Sequence, residues 1–337
     1  ISKYLPNIKD SIILKDHIIL INYYKDKLEI KGDGQIKIAK KLDQMNYKIT
    51  KINNKYDFNG NIDVNKNKLL IDTLQYEKKN DKKSLLELQG SYIKDKIIKI
   101  DSVSLKEKNN IFLIKDLKLD SNFKIIDVRL VKLDYVNNNK FQNQINLIKK
   151  KEKYEIYGKN FDASKLISEI LHDDNKDGLS FFKDLNSIFN IKIIKKYLNK
   201  DTSVNNLNGN ITIKKNKVHK LSLLSTFSNK KELNLTINTN NNKEKITTLF
   251  SGYPKPLVKQ YKFIKGFEEG VLDYYSIKKN DVSNSVLKID NFKIQEVPAL
   301  ARLLTLASLQ GIADLLTGEG IRFDNFEMKF SNNKRLM

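Results

Sequence analysis

Residues 221–238 read LSLLSTFSNKKELNLTIN, two runs of alternating apolar and polar side chains joined by the polar segment SNKK. The apolar positions of the two runs have even spacing, and they are Leu221, Leu223, Phe227, Leu233, Leu235 and Ile237. Period-two alternation is typical of a half-buried strand, and a four-residue connection suits two antiparallel strands. The stretch therefore predicts a β-hairpin with one apolar face.

The same alternation recurs along most of the chain, between clusters of Asn, Asp, Gly and Lys. The dipeptides Asp33-Gly34, Asn59-Gly60 and Asn208-Gly209 tolerate the positive φ angles of tight turns, so we expect further hairpins around them. Consecutive hairpins form a meander with one apolar face and one face rich in Lys, Asn and Thr. The predicted fold class is mainly β, a long twisted antiparallel sheet with a few short amphipathic helices.

Two regions have helical spacing instead of alternation. In 162–189, Asp162 is a candidate N-cap for a series of apolar residues at three- and four-residue intervals, which predicts a short helix pair. In 298–316, Pro298 suits a first helical position, and Gly311 interrupts the apolar face that follows. So few helices would leave much of the apolar sheet face uncovered. We therefore expect the sheet to curl into an open groove.

The chain is expected to be an internal segment of a longer protein, because it runs from Ile1 to Met337 without an initiator methionine and ends within strand-like sequence. Its 337 residues exceed the usual single-domain size of about 100 to 200 residues. The predicted organisation is an N-terminal β-meander segment, 1–153, and a second β segment, 154–337, which carries both helical regions.

The net charge of +22 is compatible with nucleic-acid binding, but the kind of basic residue argues against it. Lysine supplies most of the charge, whereas base reading and bidentate phosphate contacts favour the planar guanidinium of arginine. The lysines are also spread along the whole chain, as on a solvated surface. We therefore predict no nucleic-acid partner.

The amino-acid sequence also excludes cysteine-based sites and a membrane-spanning apolar stretch. The absence of cysteine excludes disulfides, thiol catalysis and thiolate metal ligands. No stretch reaches the roughly 18 to 20 uncharged apolar residues that cross a bilayer, so we expect any membrane anchor to lie outside the chain.

Residues suited to catalysis or metal binding do not form a recognisable motif. His17, His172 and His219 are far apart in sequence, and none has metal-ligand spacing. The acidic segment 172–178 lacks the closing glutamate of a calcium loop, and Gly318-Glu319-Gly320 lacks the lysine of a phosphate loop. Gly318 instead suits the C-cap position of a helix. The sequence therefore predicts a protein that is not an enzyme and needs no cofactor or metal.

The most specific part of the sequence is 249–330, which resembles the C-terminal part of the AsmA-like superfamily, especially its large YhdP-like branch of envelope proteins. The strong likeness covers about a quarter of the chain, and a looser one extends back to about Tyr154. The motif residues, to which the resemblance gives a structural role, are Gly266, Phe292, Pro298, Leu303, Leu304, Gly318, Gly320 and Phe323. Phe267 departs from the pattern, which has a second glycine there, and the family's terminal conserved segment is missing.

This resemblance implies an elongated protein with a groove, located in the periplasm and anchored in the inner membrane of a Gram-negative-type envelope. It implies intermembrane phospholipid transport or outer-membrane homeostasis, with phospholipid as ligand and other envelope proteins as further partners. The alternative is a structural or adaptor scaffold of the envelope, whose sheet binds protein instead of lipid.

The candidate lipid-contacting positions lie in and after the hairpin quoted first. We expect them on an apolar face that contributes to a groove, and they are Leu221, Leu223, Phe227, Leu233, Leu235, Ile237 and Ile246, with Thr248 nearby. An ordinary closed core is the alternative, because a half-buried strand has the same sequence pattern in both settings.

Overall fold

The computed structural model describes residues 13–38, 41–93, 96–162, 164–165, 182–198, 202–258, 266–295 and 320–333. The chain divides into two compact units. Unit 1 comprises Ile1–Lys200 and Ile213–Lys217, and unit 2 comprises Asp201–Thr212 and Val218–Met337. The boundary predicted after residue 153 falls at the start of a strand within unit 1.

Unit 1 is a succession of strands with one short insertion. Its strands are β1 (Ile13–Tyr24), β2 (Lys27–Ile38), β3 (Lys41–Ile52), β4 (Lys55–Asp63), β5 (Leu69–Ile71), β6 (Tyr76–Lys78), β7 (Leu85–Ile93), β8 (Ile98–Glu107), β9 (Asn110–Leu119), β10 (Ile125–Val136), β11 (Gln142–Lys150), β12 (Lys153–Asp162) and β13 (Ser187–Tyr197). From β1 to β12 each strand pairs antiparallel with the next, except that β4 pairs with β7. The inserted β5 and β6, joined by the 3-10 turn Asp72–Leu74, form a separate hairpin.

The last pair of unit 1 departs from this meander, because β12 and β13 run parallel. Parallel neighbours need a long crossover connection, and 163–186 supplies it. The sequence pattern predicted antiparallel neighbours throughout, so this pair is a correction.

Unit 2 is a second antiparallel meander. Its strands are most of β14 (Ser203–Lys214), then β15 (Lys217–Phe227), β16 (Glu232–Thr239), β17 (Lys245–Ser251), β18 (Phe267–Lys279), β19 (Val282–Ile294) and β20 (Ile321–Asn333). Each strand from β15 to β20 pairs antiparallel with the next. The one-turn helix α1 (Lys255–Val258), which the sequence pattern did not predict, lies between β17 and β18.

The predicted fold class is confirmed: the described chain is mainly β, largely antiparallel and poor in helix. The hairpin predicted at 221–238 is confirmed as well. β15 ends at Phe227, β16 begins at Glu232, and their register pairs Leu221 with Ile237 and Leu223 with Leu235.

Of the two predicted helical regions, the first is partly wrong and the second lies outside the described residues. In 162–189 the structure describes Ser164 and Lys165 as helical, and the carboxylate of Asp162 accepts a hydrogen bond from the Ser164 backbone N–H at 3.2 Å. The end of the prediction is wrong, because Phe182 makes an isolated bridge to Ile125 and residues 187–189 belong to β13. The β-branched residues after Ser187 favour a strand. The other region, 298–316 with Leu303 and Leu304, lies outside the described residues.

The predicted turns at glycine dipeptides are wrong. Gly34, Gly60 and Gly209 lie within β2, β4 and β14. Several hairpins instead turn on two residues of which the first is Lys or Asn with positive φ, as at Lys25 (51°) and Asn53 (52°). Asn tolerates this left-handed conformation, whereas lysine is an unusual choice, so these turns carry little signal in the sequence.

Candidate functional site

An uninterrupted row of apolar residues and glycines crosses eleven strands of unit 1. Each member is the direct cross-strand partner of the next, and all lie on one face of the sheet. This unit 1 row consists of Ile19, Gly32, Tyr47, Gly60, Leu88, Val103, Ile114, Val131, Leu147, Ile156 and Ile191. Its glycines have a packing role, because a Cβ on Gly32 would lie 2.2 Å from Cζ of the Tyr47 ring.

The unit 1 row remains accessible to solvent. Gly32 is buried, whereas every other member is half-buried or exposed, and Leu88 and Ile19 keep 38% and 49% of their surface exposed. Contiguous apolar surface that stays exposed is uncommon in soluble proteins and marks interaction sites. The row is therefore the candidate contact surface of unit 1.

One border of this face is covered by the β5–β6 hairpin. Tyr76 of the hairpin packs on Leu105, Phe112 and Tyr135, and these four residues form the covered cluster. The ring of Tyr76 lies 4.5 Å from that of Phe112 and 5.8 Å from that of Tyr135. Burial, followed by the hydrogen bond to Glu107, raises the pKa of the Tyr76 hydroxyl, so this residue stays neutral.

Buried polar contacts hold the hairpin in place. The fully buried Lys78 donates from Nζ to the backbone oxygens of Asn65 and Asn67. The carboxylate of Asp43 accepts bonds from the backbone N–H groups of Asn65 and Lys66 and from the Asn67 side chain. Desolvation lowers the pKa of Lys78, and Asp43 opposes that shift. Satisfied buried polar groups of this kind fix one arrangement of the chain.

Unit 2 has its own apolar row, which crosses six strands. This unit 2 row consists of Leu223, Leu235, Leu249, Tyr274, Leu287 and Met328. Its first five members are half-buried and Met328 is 41% exposed. Nearer α1, Val258 of the helix packs with Phe267, Leu272 and others into a buried cluster. Three members of the unit 2 row, Leu249, Tyr274 and Leu287, pack against this cluster, so the row borders the covered region of unit 2 and is half-buried there.

The structure brings six of the seven candidate lipid-contacting residues onto one face. Leu223 and Leu235 belong to the unit 2 row, and Leu221, Phe227, Leu233 and Ile237 flank it. Ile246 is a correction, because its partners are Asn238 and Ile277 and it faces the other side of the sheet, as does Thr248. The residue missed on β17 is Leu249. In 245–251 the residues KITTLFS are apolar on both alternating faces, so the sequence contains no signal that selects one face.

The motif residues of the family resemblance lie beside the unit 2 row where the structure describes them. Phe292 is buried, and its ring stacks on those of Phe267 and Phe323 at 5.4 and 5.2 Å. Gly266 and Gly320 have positive φ angles of 66° and 89°. Four others lie outside the described residues, and they are Pro298, Leu303, Leu304 and Gly318.

The opposite face of unit 1 carries ion pairs, together with the exposed apolar residues Ile18 and Leu20 of β1. Glu29 accepts from Lys48 at 2.8 Å and lies 3.2 Å from the ammonium of Lys31. The hydrogen bond from Lys48, with that from Lys31, lowers the pKa of this carboxyl. The charged pairs around Glu29 therefore distinguish this face from the row at β2 and β3, as the alternation predicts.

Within the parts of the chain that the structure describes, neither a metal-binding cluster nor a membrane-spanning helix is found. No group of three or more His, Asp or Glu side chains could hold a metal ion there. None of the described helices has the length and apolar character needed to cross a membrane. Comparison with protein-family models, curated proteins and solved structures finds no match for the chain.

Proposed function

We propose that this chain is a non-enzymatic segment of a cell-envelope protein that accommodates phospholipid acyl chains along its apolar rows. In this proposal it serves intermembrane phospholipid transport or outer-membrane homeostasis. The observation that carries it is the unit 1 row, an unbroken series of apolar residues and glycines across eleven strands, of which all but Gly32 are half-buried or exposed.

The hydrophobic effect supplies the affinity. Burying one methylene group contributes about 0.8 kcal/mol, so an acyl chain gains several kcal/mol from contact with a few strands. Such a gain does not require any particular side chain, because the interaction is proportional to area and has no direction. A series of equivalent apolar positions therefore favours passage of a chain from one strand to the next.

The extent of the row suits a path better than a single pocket. Eleven strands about 4.8 Å apart give a contour length on the order of 48 Å. One leaflet of a bilayer has a hydrocarbon thickness of about 15 Å, half of the whole core. The unit 1 row is thus about three acyl-chain lengths long, so one lipid would occupy part of it at a time.

The family resemblance of 249–330 supports the same proposal and adds the compartment. We place the protein in the periplasm of a Gram-negative-type envelope, with an inner-membrane anchor outside 1–337. Phospholipid is the proposed ligand, and other envelope proteins are proposed partners.

The proposal is tested by photocrosslinking from the apolar face. A photoreactive phenylalanine analogue replaces Ile114 of the unit 1 row, and in a matched control it replaces Lys132, which is exposed on the other face of the neighbouring strand. After incubation with vesicles of phosphatidylethanolamine and phosphatidylglycerol, we expect lipid adducts from position 114 and none from 132. A mass-spectrometric inventory of the purified chain should contain phospholipid.

Equal labelling from both positions, or absence of lipid from both measurements, would contradict the proposal. Protein adducts from position 114 without lipid would favour the scaffold alternative, in which the same face binds another envelope protein.

A further inference from the structure

Beside the unit 1 row, three polar-tipped side chains line the border that the hairpin leaves open. Lys51 of β3, Tyr56 of β4 and Tyr92 of β7 are successive cross-strand partners, and we name them the basic rim. The Lys51 ammonium lies 5.7 Å from the centre of the Tyr56 ring, which lies 6.0 Å from that of Tyr92. Lys51 and Tyr47 of the row share one face of β3, about 13 Å apart along the strand.

Lys51 differs from Lys48, on the opposite face of the same strand, in its ionic partners. Lys48, three residues earlier, pairs with Glu29, whereas no carboxylate of the described residues lies within 4 Å of the Lys51 ammonium. The Tyr56 hydroxyl likewise has no hydrogen-bond partner among the residues that the structure describes. The rim therefore places a cation and a hydroxyl donor, both available to a ligand, at the edge of an apolar face.

We infer that the basic rim binds the anionic headgroup of a phospholipid whose acyl chains lie on the unit 1 row. This inference rests on the proposed function. The ammonium of Lys51 attracts the phosphate, and the Tyr56 hydroxyl donates to one of its oxygens. Both groups are half-exposed, so a headgroup there stays at the water boundary while the chains extend toward the row.

The positive charge of Lys51 should make the basic rim bind anionic phospholipids in preference to zwitterionic ones. Phosphatidylglycerol carries only the negative charge of its phosphate, whereas phosphatidylcholine carries its own cation, which Lys51 repels. At β8 to β10 the opposite border is occupied by the covered cluster, whose aromatic rings are buried. The headgroup therefore binds at the open border, and the anionic lipid is favoured.

The test measures lipid preference in the full chain. The protein is incubated with an equimolar mixture of phosphatidylglycerol and phosphatidylcholine that have identical acyl chains, and bound lipid is counted by mass spectrometry. We expect phosphatidylglycerol to be enriched about two- to fivefold, the effect of a partly exposed ion pair. Lys51→Gln should lower the enrichment to about one while total bound lipid changes little.

Two variants serve as controls. Lys51→Arg retains the charge and should keep the enrichment. Lys99→Gln removes an exposed lysine from the outer face of β8 and should also leave it unchanged. Thermal unfolding of each variant checks that the sheet remains folded.

Other results would contradict the headgroup inference, the proposed function or the assignment of lipid as the ligand. Lipid bound without preference, or a preference that survives Lys51→Gln, overturns the headgroup inference and leaves acyl-chain binding intact. Absence of bound lipid overturns the proposed function and this inference with it. Inorganic phosphate, titrated calorimetrically without lipid, should give no saturable binding. Saturable binding that Lys51→Gln abolishes would show a free-phosphate site and overturn the lipid assignment.

Discussion

The covered cluster and the unit 1 row lie on the same strands and the same face, yet one is closed and the other is open. On β9, Phe112 is 7% exposed, whereas Ile114, two residues along, is half-exposed. On β8, Leu105 is buried and Val103 is half-exposed. Strand alternation predicts the same burial for both members of each pair, because residues i and i+2 lie on the same face.

The difference comes from the inserted β5–β6 hairpin. It places Tyr76 over Leu105 and Phe112 and does not cover Val103 and Ile114 to the same extent. Whether an apolar sheet face becomes a core or a contact surface is therefore decided by a distant insertion and not by the strand itself.

The largest expected effect comes from truncating each member of the β9 pair. Phe112→Ala should destabilise the protein by about 3 to 5 kcal/mol, because it leaves a cavity under a fixed cover. Ile114→Ala removes a side chain that water already reaches, so its cost should be about 1 kcal/mol. Urea unfolding of both variants measures the difference. Equal costs at the two positions would mean that the row is as closed as the cluster.

The buried ammonium of Lys196 should make the stability of the folded chain depend on pH. Lys196 on β13 is 5% exposed, and burial lowers the pKa of its ammonium to about 8, although the Asp162 carboxylate opposes the shift. Between this pKa and the unfolded value of about 10.4, the unfolded chain binds more protons, so stability should rise with pH. The gain is about 3 kcal/mol, at 1.36 kcal/mol for each pKa unit.

Lys196→Met removes this titration and provides the control. Stability of both proteins is measured between pH 7 and 10.5, and the difference between them isolates the contribution of Lys196 from those of the tyrosines. Parallel curves would show that the ammonium is solvated in the folded chain.

A smaller loss of stability is expected from weakening the contacts that hold the β5–β6 hairpin on the sheet. Tyr76→Phe removes the hydrogen bond to Glu107 and keeps the ring in the covered cluster. The expected cost is about 1 to 2 kcal/mol, typical of a hydrogen bond to a charged group. Hydrogen exchange should become faster in β5 and β6 and stay unchanged in β15 and β16. Uniform acceleration would contradict a local role of this bond.

The sequence predicted the features that depend on local pattern. Alternation identified β15 and β16, and the SNKK connection located the turn between them. It also placed six of the seven candidate residues on one face, since register follows from the turn once the hairpin is known. The seventh, Ile246, was assigned to the wrong face because β17 alternates apolar residues on both sides.

Features that depend on other strands could not be predicted in this way. Gly209 suggested a turn, yet it lies within β14, where a Cβ would be 2.0 Å from the Ser222 carbonyl oxygen. The covering hairpin and the parallel crossover to β13 are likewise set by partners far away in sequence. The unit 1 row is a property of the register of eleven strands, and no single stretch of the chain contains it.

The most direct test of an open, lipid-contacting face is Leu235→Glu, compared with Ile237→Glu on the same strand. Ile237 is 2% exposed, so a buried glutamate there should cost several kcal/mol and unfold unit 2. Leu235 belongs to the half-exposed unit 2 row, so its variant should keep its melting temperature within a few degrees and lose lipid photocrosslinking from position 223. Unfolding of Leu235→Glu would show a closed core at this position, and undiminished crosslinking in the folded variant would show that lipid does not use this face.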